Sequence, residues 1–129
     1  QATIFNSNSK RSDRGKRAFL DGEAAEMQVQ ESYEQRGLKL AAKRWRGGGG
    51  EIDLVFKDGD LCVFVEVKKS RSWDRAASAL RPRQIARLMQ AATVFVADEP
   101  NGQLTDMRFD VALVDQHGLV KILENALIA

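Results

Sequence analysis

Apolar positions along this chain switch between helical and strand spacing, and each switch marks an element. From about Lys16 to Arg36, Phe19, Leu20, Ala24, Met27 and Tyr33 recur at helical spacing, and Gly37 is placed to stop the helix. Leu38, Leu40 and Ala42 then alternate with Lys39, Ala41 and Lys43, which predicts a strand ending near Arg44-Trp45-Arg46. Gly47 to Gly50 reads as a turn. Two runs rich in β-branched and aromatic residues follow, Ile52 to Phe56 and Leu61 to Val67, with the polar turn Lys57-Asp58-Gly59-Asp60 between them. A second helix is predicted from about Ser78 to Val96, with Ile85, Leu88, Met89 and Ala92 on one face and Pro82 in its first turn. Asp98 to Gly102 breaks it, Phe109, Val111 and Leu113 alternate on a further strand, and a turn at Gln116-His117-Gly118 leads to a last strand, Leu119 to Leu123. The order helix, three strands, helix, two strands implies a mixed sheet with helices packed on it.

A chain of 129 residues with 43% hydrophobic content suits one compact domain, here expected over residues 15–129 behind a flexible segment 1–14. The net charge is only +2, yet the basic residues are uneven: Lys10, Arg11, Arg14, Lys16 and Arg17 cluster early, and Lys68, Lys69, Arg71, Arg75, Arg81, Arg83 and Arg87 in the middle. The single cysteine, Cys62, excludes an intramolecular disulfide and a multi-cysteine zinc site, and points to a reducing compartment, most simply the cytosol. No apolar run approaches the roughly 18 residues of a membrane-spanning helix.

The central pair of strands carries the candidate chemistry: Asp53 on one, then Glu66-Val67-Lys68 on the other. Residues directly opposite in an antiparallel pair share a face, so the loop length decides what meets Asp53. A two-residue loop at Gly59-Asp60 sets Asp53 opposite Glu66; a four-residue loop sets it opposite Phe64, one step along the same face. Either keeps Asp53, Glu66 and Lys68 together, with Glu51 joining by the two-residue period, while Leu61, Val63, Val65 and Val67 form an apolar stripe on the other face. One face is thus expected to be core and the other to carry chemistry. The bland alternative is an ordinary cross-strand ion pair on a solvated face. The apolar flanks argue for interior strands instead, where charges are costly unless paired or bound to metal.

Gly49-Gly50-Glu51-Ile52-Asp53-Leu54-Val55 and Val63-Phe64-Val65-Glu66-Val67-Lys68 resemble the YraN-like protein family, which is assigned to the restriction-endonuclease-like, or PD-(D/E)xK, nuclease superfamily. Gly22-Glu23 with Ala24 and Ala25, Arg87-Leu88 with Ala91 and Ala92, Arg108-Phe109-Asp110-Val111 and Glu124-Asn125-Ala126 extend the resemblance over nearly the whole chain after about Arg14. It implies an α/β fold with a mixed β-sheet flanked by helices, an α-β-β-β-α-β core plus a C-terminal strand.

It also implies a Mg²⁺- or Mn²⁺-dependent nuclease acting on DNA, with Asp53, Glu66 and the main-chain carbonyl of Val67 as metal ligands and Lys68 beside the attacking water. Glu23, on the first helix, is a further ligand by the same resemblance, with Glu26 as a weaker substitute; an exposed helix glutamate is the competing reading. Asp110 matches the family but, on a late strand, suits a structural role. By the same resemblance, relatives usually carry a lysine just after the Pro-Arg pair where this chain has Gln84, which can hydrogen-bond to a phosphate but supplies no charge. Arg71, Arg81, Arg83, Gln84 and Arg87 are candidate nucleic-acid contacts, each weighed against an ordinary solvated surface, and Trp73 could stack on a base or simply cover the core. The partners implied are DNA and a second copy or a DNA-repair protein. A binding module without turnover, or a subunit activated by a partner, is the alternative function.

Overall fold

The computed structural model describes residues 10–69 and 81–126, with side chains from Gly22 onward. Its elements are α1 (Lys10–Gln35), β1 (Lys39–Gly47), β2 (Gly50–Asp58), β3 (Leu61–Lys69), α2 (Pro82–Val96), a short 3₁₀ turn (Gly102–Leu104), β4 (Met107–Val114) and β5 (Val120–Leu123). The strands form one sheet in the order β1-β2-β3-β4-β5; β3 and β4 are parallel, joined through α2, and every other neighbouring pair is antiparallel. This is the α/β fold expected from the sequence, consistent with a restriction-endonuclease-like core. Among the described residues no helix is long and apolar enough to cross a membrane.

Each face of the sheet has its own core. Ala25, Val29 and Tyr33 of α1 cover Leu54, Phe56, Val63, Val65, Ala112 and Val114, and Tyr33 stacks on Phe56 with ring centroids 4.5 Å apart. Leu88, Ala91, Ala92 and Val96 of α2 cover Ile52, Val55, Phe64, Phe109, Val111 and Leu113 on the opposite face. The expected division into a core face and a chemical face therefore fails. Val55 and Phe64, which share their face with the acids, lie under α2, and the charged residues are confined to one end of that face.

Two boundaries moved, and one strand is irregular. Helix α1 begins at Lys10, earlier than the apolar period shows. Its buried face in the described part is Ala25, Val29 and Tyr33, spaced by four, whereas Ala24 and Met27 are exposed. Helix α2 begins at Pro82 rather than Ser78: Arg81 is extended at φ −97°, ψ 153°, as the residue before a proline prefers, and Pro82 opens the first turn. In β1 the simple alternation breaks at a bulge between Leu40 and Ala42. Leu40 packs with the α1 core and Ala42 with the α2 core, so the extra residue moves the strand from one layer to the other.

Asp110 has the structural role expected of it. It is fully buried, accepts the Tyr33 hydroxyl at 2.7 Å and both a Nε and a terminal guanidinium hydrogen bond from Arg108 at 3.0 Å, and also accepts the Asn125 amide at 3.0 Å. With every acceptor site engaged, it ties α1, β4 and the C-terminal turn together.

Candidate active site

The site is built where two strands part. β2 and β3 are paired from Asp58↔Leu61 to Leu54↔Val65 and no further. Beyond that point β2 runs on with β1 to Gly50, and β3 runs on with β4 to Lys69. The Asp58↔Leu61 closure shows the two-residue loop, which brings Asp53 and Glu66 to the next opposed positions. There the Asp53 carboxylate takes over from the ladder, its Oδ2 accepting the Val67 amide at 2.8 Å. A strand amide freed by the divergence thus fixes the orientation of the acid.

Burial raises the pKa of both carboxyl groups. For Asp53 the Val67 amide and a hydrogen bond to Glu66 work against that rise. Glu66 is raised by burial first and next by the neighbouring Asp53 charge, to about 7, and Lys68 only partly offsets this. The Lys68 ammonium stands 3.6 Å from Glu66 Oε2, and both side chains are mostly covered, at 24% and 19% exposure. Two acids compete for one proton here, with one lysine alongside.

A cleft of about 570 Å³ opens over Glu66. One wall is the β1/β2 hairpin, with Arg46, Gly47, Gly49, Gly50 and Glu51; the other is the first half of α2, with Gln84, Arg87 and Leu88. The hairpin turns at Gly48 and Gly49, whose φ values of 60° and 82° suit a two-residue connection. It also presses on α2: a Cβ at Gly50 would lie 2.6 Å from the Arg87 carbonyl oxygen, and one at Gly48 2.8 Å from Val94. The glycines let the turn pack closely against the helix.

The candidate residues are distributed unevenly around this cleft. Glu66, Gln84 and Arg87 line it together, Asp53 and Lys68 adjoin Glu66, and Glu51 lines the hairpin wall, where it pairs with Arg46 at 3.7 Å rather than with Lys68. The Gln84 side-chain oxygen accepts the Arg81 amide at 3.2 Å, capping α2, so its amide nitrogen is the end available to a ligand. Arg81 and Arg83 are exposed at the start of α2 and do not line the cleft. Arg71, with Trp73 and Arg75, lies outside the described residues.

Glu23 lines a second cavity, about 390 Å³, with Glu26, Met27, Lys43 and Arg44 between α1 and β1. Burial raises the pKa of Glu26 first, the Arg44 guanidinium 3.1 Å away opposes this, and the Asp53 charge adds to the rise. Among the described residues no three His, Cys, Asp or Glu side chains converge on one point as a metal-holding group, so Glu23 is not drawn in beside Asp53 and Glu66. Sequence reasoning also missed Arg46. Its only signal was a basic residue beside the glycine turn.

These features define an α/β protein with an acidic pair at a strand divergence, facing a basic-walled cleft. The chain belongs to the Uncharacterised protein family UPF0102, whose profile matches residues 25–114 and so spans Asp53, Glu66, Lys68, Gln84 and Arg87. It is 58% identical over 113 residues to a UPF0102 protein of Ruegeria pomeroyi, covering 88% of this chain and 92% of the relative. It is 55% identical over 113 residues to one of Roseobacter denitrificans, covering 88% of each. A third, from Cereibacter sphaeroides, is 50% identical over 115 residues, with 89% and 98% covered. The YraN-like resemblance read in the sequence holds at the level of this family.

Proposed function

We propose that this protein is a metal-dependent nuclease that hydrolyses DNA phosphodiester bonds, acting on branched or damaged DNA in repair or recombination. The observation that carries the reading is the parting of β2 from β3 at Asp53, which sets Asp53 and Glu66 side by side with Lys68 at the mouth of a cleft walled by Arg46, Gln84 and Arg87. The donor set fits Mg²⁺ or Mn²⁺. It consists of hard carboxylate oxygens and the nearby Val67 carbonyl, and a pair of acids that otherwise competes for a proton is what a divalent cation neutralises. Asp53, Glu66 and Val67 would hold the ion, which when bound polarises the phosphodiester and acidifies water.

The remaining steps fall to the chain's own groups. Lys68 orients the attacking water and stabilises negative charge developing on the phosphoryl oxygens. Arg87 and the Gln84 amide hold the phosphate against the α2 wall. Glu66 and Lys68 are only 19% and 24% exposed, and this partial desolvation strengthens the interactions of their own charges.

One observation favours a second reading, in which the chain is a binding module or a subunit activated by a partner: the acids that converge within the described residues number fewer than three. The two readings separate on labelled single-stranded, duplex, flapped and four-way DNAs incubated with Mg²⁺, Mn²⁺ or EDTA. Cutting that needs the cation and disappears in Asp53→Ala and Glu66→Ala supports the nuclease. Binding without cutting on every substrate supports the module.

A further inference from the structure

We infer that Arg46 and Arg87 form a two-sided clamp on the phosphodiester backbone of a single nucleic-acid strand, with Glu51 holding the place of the phosphate until the strand arrives. The inference rests on the reading above that the cleft takes nucleic acid, and it adds the substrate class and a contact residue on the hairpin wall. The two arginines stand on opposite walls of the same cleft, above Glu66. Arg87 is exposed on its wall, and among the described residues it makes no hydrogen bond or ion pair. Arg46 is 79% exposed, and among the described residues its ion pair is with Glu51, its direct cross-strand neighbour, at 3.7 Å. An ion pair that long and that solvated is weak. A phosphate, which can take two parallel hydrogen bonds from a guanidinium, displaces it readily.

The spacing of the clamp is set by backbone. Gly50 lies against the carbonyl of Arg87 itself, and Gly48 against Val94 about two turns further along, so the hairpin is packed directly on the helix that carries the second arginine. The cleft, about 570 Å³, belongs to the size class that encloses a drug-sized molecule, ~300–1,000 Å³. That suits a nucleotide or two of one strand and not the cross-section of a duplex. A strand passing between the walls brings its phosphate to Glu66 and Lys68. Three of the hairpin's lining residues are glycines, so this wall offers backbone and no bulky side chain to obstruct the chain.

The test is fluorescence anisotropy of the full chain with labelled single-stranded DNA, single-stranded RNA of the same sequence and duplex DNA, in EDTA. Single strands are expected to bind more tightly than duplex. Arg46→Ala and Arg87→Ala should each weaken binding about tenfold, the contribution of one charge-assisted hydrogen bond, and lower the salt slope by about 0.7. Glu51→Gln should tighten binding, Lys121→Ala on the far edge strand should leave it unchanged, and melting curves should show all four variants folded. Equal losses on DNA and RNA support backbone recognition; a DNA-to-RNA difference larger than the arginine effect overturns it. Wild-type affinity in both arginine variants overturns the clamp, and tighter binding of duplex overturns the substrate class. A protein that binds in this way yet never cuts would contradict the nuclease and leave the clamp standing. One that cuts while both arginine variants bind like wild type would do the reverse.

Discussion

Replacing Glu66 by glutamine should make the cation-free protein more stable at about pH 8 while removing its response to Mg²⁺. The magnitude follows from the site. Burial and the adjacent Asp53 charge lift Glu66 from 4.5 to about 7, and Lys68 at 3.6 Å offsets only part of this. A carboxyl group whose folded pKa is raised stays protonated in the folded protein where the unfolded chain has already lost its proton. Stability is therefore greatest below the unfolded value, falls as pH climbs between the two, and is flat above the folded one. At 1.36 kcal/mol for each pKa unit, the wild type loses up to about 3 kcal/mol across that window. The neutral amide has no such dependence, and after allowing for an imperfect hydrogen bond to Asp53 the variant should gain about 1–3 kcal/mol at pH 8. For a chain of this size that is a rise in melting temperature on the order of 3–15 °C. A saturating divalent cation should raise the wild-type melting temperature at that pH, by about 2.7 kcal/mol of stability at a hundredfold excess over Kd, and leave the variant nearly unmoved. Thermal melts of both proteins at about pH 5 and about pH 8, in EDTA and in Mg²⁺, read all of this together. A variant that melts with the wild type at both pH values, or one that Mg²⁺ stabilises equally, would refute the reasoning.

Other outcomes follow from particular contacts. Asp110→Ala strips the Tyr33 hydroxyl, the Arg108 guanidinium and the Asn125 amide of their common acceptor, and urea titration should show a loss of about 3–5 kcal/mol, with the cation-induced shift of whatever protein remains folded preserved. Gly50→Ala places a Cβ 2.6 Å from the Arg87 carbonyl, so the hairpin must lift from α2; a destabilisation of about 1–3 kcal/mol is expected in the same titration, together with weaker binding of single strands. Lys68→Met should lower single-turnover cleavage about 10²- to 10³-fold while strand binding in EDTA is largely retained.

The acidic pair was legible because it depends on local pattern alone. A two-residue period and a Gly-containing turn keep Asp53 and Glu66 on one face whichever even loop closes the hairpin, and the Asp58↔Leu61 closure settled which. Pro82 was rightly placed in the first turn of α2, although the start was expected at about Ser78 and the proline itself opens the helix. What the pattern could not carry was anything set by tertiary contact. The bulge near Ala41 and the left-handed Arg44, at φ 47°, redirect β1 without leaving a signal in its residue types. The partnership of Tyr33 with Asp110 spans 77 positions. Ala24 and Met27 read as a helix face because either stripe of α1 carries enough apolar residues, and only packing on the sheet chooses Ala25 and Val29. Arg46 was not picked out for the same reason: its place in the cleft wall comes from the contact between Gly50 and α2 that sets it across from Arg87.

The central proposal is that Asp53 and Glu66 would hold a divalent cation at a site where a phosphodiester bond is hydrolysed. Its most direct test is single-turnover cleavage of the best-bound DNA by wild type, Asp53→Asn and Glu66→Gln, all shown by melting to be folded, in Mg²⁺, Mn²⁺ and EDTA. The account predicts cutting by the wild type with either cation, none in EDTA, and none by either variant under any condition. Cutting that persists in EDTA or in both variants would contradict it.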